Sequence, residues 1–495
     1  MVNSGKSKSG KASLFSLSAV VLALASAGVT AADDAEALLR RAERAMGGAE
    51  IKTLRFTASG TGATFGQAYK ANAKWPALGY SSFARTLDYE NAALREEFAR
   101  SRTEPTGGAI PLMGSGEQRA TVFLHGATAW NQTAPNTFAF AGVAVDTRIH
   151  DLWTSPHGVI KAALKNKATL TFRTEKGKSL AAVSFTEPGR FTATALINAD
   201  YLVERVESKL PHPVAGDTAL VTFYSDYRSF GEVKFPERII QTHGATPLLD
   251  FGVGNVQVNQ PSGITVPDNI KTAAERVTSE KVADGVWFLA GGSHNSVAIE
   301  MKDYMVLVEA PLYDGRTAAV IAEVKKLGGV KPLRYAINSH HHFDHAGGLR
   351  AAAAEGATLI TSAEAKTYFD KAFANPNSIS PDLLAKSKKK AKIEGVNGKR
   401  VFSDGSRTFE VHFIQGGVHA DGFQMVYLPQ EKLLIEADAY TPLPPGAKPP
   451  ATPNGNHVNL IENIEKLKLA VDKILPLHGR VVPLAELYST AGRSK

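Results

Sequence analysis

The sequence predicts a two-part α/β protein: an α+β domain built on a mostly antiparallel sheet, followed by a layered α/β domain. Three observations carry this. From residue 52 to about 258, short β-like runs are separated by turn residues. Beyond residue 277, strand-like runs alternate with helical patterns, the grammar of an α/β layer. The chain has 495 residues, 43% hydrophobic and 21% charged, which suffices for two or three domains with cores and excludes a disordered chain.

Residues 1–31 read as an export signal. Lys6, Lys8 and Lys11 precede an apolar stretch over 14–29, and small residues lead to cleavage after Ala31. The stretch is short and diluted by Ser and Gly, so no membrane anchor is expected after cleavage. A periplasmic or secreted bacterial protein is expected. The run from Gly5 to Ala12 nearly matches a phosphate-binding loop, but Ala12 stands where a hydroxyl must hold magnesium, and no strand precedes it. The next element, over 35–46, places Leu38, Leu39, Ala42 and Met46 on one helical face, and Gly47-Gly48 stops it. The runs at 52–58, 169–173, 181–185, 219–224 and 238–242 follow as strands, so residues 32–258 form the sheet domain. The helix-then-curved-sheet order resembles the half-barrel of periplasmic lipoprotein carriers.

Residues 259–276, rich in Pro, Ser and Gly at their start, read as a linker to a second domain over 277–495. There, 286–290, 297–301, 305–309 and 335–338 read as strands. Residues 316–327 read as a helix with Val320, Ile321, Val324 and Leu327 facing inward. The absence of Cys excludes disulfides, thiolate metal sites and a cysteine nucleophile. The formal charge of +8 falls to about +5 without the leader lysines, too mild and dispersed for a nucleic-acid binder. The lysine run at 386–392 reads as a solvated face.

Chemistry concentrates after the 335–338 strand, where Ser339-His340-His341-His342-Phe343-Asp344-His345 sets four potential metal ligands in the pattern H-x-H-x-D-H. His340 and His342, two apart on extended chain, point the same way. Asp344 and His345 turn toward a second point as a helix begins, so one loop can serve two adjacent ions. Further ligand-type residues follow at probable strand ends: His419, Asp438 and His478.

This set resembles the metallo-β-lactamase superfamily, with its αβ/βα sandwich, over roughly residues 277–485. The resemblance implies one zinc on His340, His342 and His419, a second on Asp344, His345 and His478, and Asp438 bridging them. Two zinc ions per chain are expected, with iron or manganese as alternatives. It further implies an exported hydrolase that cleaves an ester, lactone, thioester or amide by hydroxide generated at the metals. Asp344 would orient the nucleophile and shuttle its proton. Asp438 favours the lactonase and glyoxalase II-like branches, because the Cys-free β-lactamases typically lack a bridging carboxylate.

Among the remaining candidates, Tyr440 is expected to donate to an oxyanion, as a Tyr beyond the bridging Asp does in some lactonases. His294 is expected to line the substrate cleft. Glu309 is a candidate to orient a ligand imidazole. His341 should point away from the metals, His412 and His457 default to structural roles, and Trp287, Phe288 and Phe423 read as core. Residues 368–392 are expected to form a lid that sets specificity. The partner is a small-molecule substrate, with no nucleic acid and room for a homodimer. Two other functions fit the same residues: an iron oxidoreductase of the persulfide dioxygenase type, which shares H-x-H-x-D-H, and an apolar-ligand carrier with an auxiliary metal domain.

Overall fold

The computed structural model describes residues 31–104, 107–109, 116–417 and 419–494. The export-signal reading and the Gly5–Ala12 near-match fall on residues outside this set, apart from Ala31 itself. No helix among the described residues is long and apolar enough to cross a membrane.

The first domain opens with a helix over Ala31–Ala45 that buries Leu39 and Ala42, with Met46 directly beyond it. The chain turns at Gly47 (φ +68°), where a Cβ would lie 2.1 Å from the Glu232 carbonyl oxygen, so only glycine fits. Thirteen antiparallel strands among the described residues then form one sheet. Its first strand, Thr53–Ala63, pairs with its last, Thr246–Val258, at the middle of the sheet, and a meander runs outward on each side. Along Thr53–Ala63 the period-two pattern buries Leu54, Phe56 and Ala58 on one face. Two helices, Val145–Trp153 and Pro156–Lys165, connect the two meanders and cover that face with Ile149, Leu152, Val159 and Ile160. Ser155 caps the second helix by accepting from the Gly158 N–H, with Pro156 in the first turn. The cavity left between Phe56, Phe83, Tyr224, Phe235 and Phe251 measures about 30 Å³. That is room for water, not for an acyl chain.

His157 lies in this core, stacked on Phe235 at 6.0 Å with Nε2 donating to the Met46 carbonyl at 3.2 Å. Burial pushes its imidazole down to about 4. The unfolded chain takes up this proton below about 6.5, the folded chain only below about 4, so the stabilisation is complete above 6.5 and lost as pH falls. Between pH 7 and pH 5 the loss is roughly 2 kcal/mol from this group. Urea denaturation at both pH values is expected to show that much less pH dependence in a His157→Gln variant. Equal dependence in variant and parent would remove the buried imidazole as the cause.

Residues 259–276 are not a free tether. Ile264 and Ile270 are buried against Ala93 and Trp130, and Ser262 Oγ donates to Asp88 at 2.7 Å. The apolar pair overrides the Pro/Ser/Gly composition and straps the segment to the first domain.

Among the described residues, the second domain is a sandwich of a seven-stranded and a six-stranded sheet. Their inner faces share a core that includes Phe288, Val306, Phe409 and Ile435. Met305–Val308 is buried on both sides: Val306 and Val308 face the other sheet, while Met305 and Leu307 meet the helix Asp314–Gly328 through Val320 and Val324. Helices Gly455–Lys466 and Leu484–Thr490 pack against the second sheet with Leu460, Ile461 and Leu487. This is the αβ/βα arrangement. The strands 333–337, 433–436 and 473–476 end at one edge, and the loops beyond them carry the candidate ligands.

The expected lid forms two short helices, Ala363–Ala372 and Leu383–Ser387, and the chain between them is fastened to the first domain. The Asp217 N–H donates to the Pro376 carbonyl at 2.7 Å, Asn375 Nδ2 to the Ala215 carbonyl at 3.0 Å, and Ser378 Oγ to Asp217 at 2.6 Å. The segment is a bridge between domains.

Candidate metal centre

The strand Leu333–Ile337 delivers the chain to the loop at 338–342, still extended at His342 (φ −60°, ψ 144°). A one-turn helix, Phe343–Ala346, follows. His340 and His342 therefore project from extended backbone, and Asp344 and His345 from the helical turn. Two groups of donor atoms result, each with all atoms within 4.8 Å of one another. The first is His340, His342, His419 and Asp438; the second is His294, Asp344, His345 and His478.

Asp438 lies between the groups. Its Oδ2 faces Nε2 of His419 at 2.7 Å, of His345 at 3.1 Å and of His340 at 3.4 Å, while Oδ1 faces His478 Nε2 at 2.8 Å. His340 Nε2 also lies 2.9 Å from His342 Nδ1 and 3.1 Å from His419 Nε2. His345 Nε2 lies 3.2 Å from His478 Nε2. A neutral imidazole nitrogen carries one proton or one lone pair, so it cannot satisfy three such neighbours by hydrogen bonding.

The outer ring nitrogens decide which end is which. His478 Nδ1 faces the Ser293 carbonyl at 3.0 Å, and His342 Nε2 faces the Ala68 carbonyl at 2.9 Å. A carbonyl only accepts, so these nitrogens carry the proton and the inner ones carry lone pairs. Ser339 Oγ donates to Glu309 Oε2 at 2.5 Å and accepts from His340 Nδ1 at 2.9 Å, leaving His340 Nε2 as a lone pair. His345 Nδ1 donates to Glu309 Oε2 at 3.1 Å. His419 Nδ1 is buried with no partner among the described residues.

The charges agree. Burial, and then the neighbouring His345 and His340 respectively, hold His340 and His342 well below the ordinary imidazole range. Burial also opposes the carboxylate of Asp438, but His345 and His419 outweigh it and hold its carboxyl well below the usual range. Burial likewise disfavours a charge on His345, yet Asp438 and Asp344 raise its pKa well above normal. Converging lone pairs with two carboxylates among them fit a cation, and imidazole with carboxylate suits zinc-type ions.

Of the residues singled out in the sequence, all seven expected ligands, His340, His342, Asp344, His345, His419, Asp438 and His478, fall in the two groups. His294, expected as a cleft residue, joins the second group: its Nε2 is 3.2 Å from Asp344 Oδ2. Glu309 is fully buried behind the loop, where it holds Ser339 and His345. His341 turns from both groups and donates to the Ala68 carbonyl at 2.8 Å. His412 pairs with Glu410 at 2.7 Å. Phe423 packs on His340 at 4.8 Å.

Tyr440, expected to donate to an oxyanion, does not line the centre. The Tyr440 N–H donates to Glu436 Oε2 at 2.9 Å, and the ring lies buried beside His457 at 4.9 Å. Its hydroxyl lies 3.5 Å from Thr490 Oγ1, away from both donor groups. It is a packing residue.

Residues 289–484 match the family model of the metallo-beta-lactamase superfamily. The solved structures it is similar to include the metallo-beta-lactamase from Pontibacter korlensis, 19% identical, TM-score 0.33, over 44% of this chain and 98% of that one. Two others are the FIM-1 enzyme from Pseudomonas aeruginosa in its mono-zinc form (20%, TM-score 0.34, 44% and 95%) and the metallo-beta-lactamase from Hirschia baltica (20%, TM-score 0.33, 44% and 99%). No curated protein matches the chain.

Proposed function

We propose that the chain is an exported binuclear zinc hydrolase that cleaves an ester, lactone, thioester or amide bond in a small-molecule substrate. The observation that carries this reading is the pair of donor groups joined through Asp438. His340, His342 and His419 would hold one ion, Asp344, His345 and His478 the other, with Asp438 shared and His294 beside the second. Bound there, two divalent cations would supply a Lewis acid for the scissile carbonyl and an acidified water as nucleophile.

The protein's own groups do the rest. Glu309 and the Ser293 carbonyl fix the outer nitrogens of His345 and His478. Asp344 Oδ2 faces His294 and stands 3.8 Å from His345 Nε2, so it can orient a water or carry its proton to the leaving group. The shared carboxylate favours the lactonase and glyoxalase II-like branches over β-lactam hydrolysis.

The test is metal content by mass spectrometry on purified protein, beside a panel of lactone, ester, thioester and β-lactam substrates before and after chelation. About two zinc per chain, with hydrolysis that chelation removes and zinc restores, is expected. One iron per chain and no hydrolysis would overturn the reading in favour of oxygen chemistry, and β-lactam turnover alone would overturn the branch.

A further inference from the structure

We propose that the first domain supplies part of the metal centre: its 64–76 loop, through Gln67 and the Ala68 carbonyl, positions Asp344 and His342, so that metal affinity in the second domain depends on the first. The inference rests on the metal-hydrolase reading and extends it to residues some 270 positions away in sequence.

The loop joins the strands Thr53–Ala63 and Ala77–Asp88 and reaches across the domain boundary. Gln67 is 5% exposed, and its Nε2 donates to Asp344 Oδ1 at 2.8 Å. That bond occupies one carboxylate oxygen and leaves Oδ2 directed at His294 and His345. The Gln67 backbone is fixed at both ends: its N–H donates to the Thr64 carbonyl at 3.2 Å, and its carbonyl accepts from the Ala109 N–H at 3.2 Å. Gln67 Oε1 is buried with no partner among the described residues. Such an orphan is costly, and packing alone would not select an amide over an apolar side chain here.

The Ala68 carbonyl accepts from two imidazoles at once, His341 Nε2 at 2.8 Å and His342 Nε2 at 2.9 Å, which uses both of its lone pairs. It thereby sets the His342 tautomer that turns the Nδ1 lone pair inward. Tyr69 extends the contact to the segment bearing His419: its carbonyl accepts from the Asp421 N–H at 2.7 Å, and its hydroxyl donates to the Gly417 carbonyl at 3.3 Å.

The approach is so close that residue 66 must be glycine. Gly66 has φ +77°, and a Cβ there would fall 2.0 Å from a ring carbon of Phe343, the residue between His342 and Asp344.

The experiment measures zinc affinity of the full chain by competition with a chromophoric chelator, together with the thermal midpoint of the metal-free protein. The variants are Gln67→Met, Gly66→Ala and, as a control on the interface, Asn375→Ala. Gln67→Met is expected to weaken one of the two zinc sites about 10–100-fold with the metal-free midpoint unchanged. Gly66→Ala, which displaces the loop, is expected to weaken both. Asn375→Ala removes a bond between domains away from the metals and should leave both affinities at the parent value. Parent-like affinity in Gln67→Met would overturn the proposal, as would an equal loss in Asn375→Ala, which would make the effect one of domain docking. A parent chain that takes up no zinc overturns the hydrolase reading itself, which separates the two failures.

Discussion

Replacing Asp438 by Asn is expected to reduce zinc content from two ions per chain to one or fewer and to lower kcat/KM about a thousandfold. The reason lies in what the carboxylate touches. Its two oxygens face four imidazole nitrogens at 2.7–3.4 Å, drawn from both donor groups. Asparagine keeps the volume but replaces one oxygen with an NH₂, and it removes the negative charge that offsets two cations. Whichever way the amide turns, the nitrogens facing one of the two oxygens lose their acceptor. If the NH₂ takes the Oδ1 position, His478 loses its partner at 2.8 Å; if it takes the Oδ2 position, His419 loses its partner at 2.7 Å. Metal analysis on the dialysed variant and steady-state rates with excess zinc form the check. Two tightly held ions and parent-like turnover would mean that Asp438 does not join the groups.

The parts of this centre legible in the sequence are those whose signal is a side chain of rare type at a strand end. His340, His342, Asp344 and His345 crowd one short loop, and His419, Asp438 and His478 each sit just beyond a strand. Chain direction alone then carries them to the same edge. Tyr440 fails the same reasoning because sequence proximity to Asp438 says nothing of the path between them, and the Tyr440 N–H is tied back to the Glu436 carboxylate. His294 follows a glycine pair after a strand, a pattern that places it in the cleft but not against Asp344 at 3.2 Å. Gln67 and Ala68 had no legible signal at all. One is a glutamine in a loop of another domain, and the other acts through a backbone carbonyl that every residue type carries. Likewise the anchoring of 375–378 on the 215–217 turn depends on how two domains meet, which no local pattern encodes.

Exchanging Glu309 for Gln is expected to weaken zinc binding about 10–100-fold and to cost roughly 1–3 kcal/mol of stability, although the side chain belongs to neither donor group. Glu309 sits at φ +72° immediately after the strand Met305–Val308, fully buried. Its Oε2 accepts from Ser339 Oγ and His345 Nδ1, and its Oε1 from Asn338 Nδ2 at 3.2 Å. All three are donors, so an acceptor-only group is required. Glutamine must turn its NH₂ toward one side of this set. Facing Ser339 and His345, it frees the imidazole to flip its tautomer and present N–H where a lone pair is needed. Facing Asn338, it opposes an amide that also spans to the His345 carbonyl at 3.4 Å. The first arrangement lowers metal affinity and the second destabilises the loop, so chelator competition and urea denaturation read them separately. A Glu309→Asp variant keeps the charge and the acceptors on a shorter arm, and it should recover part of the affinity that Gln loses. Affinity that follows charge across the two variants identifies Glu309 as what fixes His345, whereas equal losses in both would reduce it to a space-filling residue.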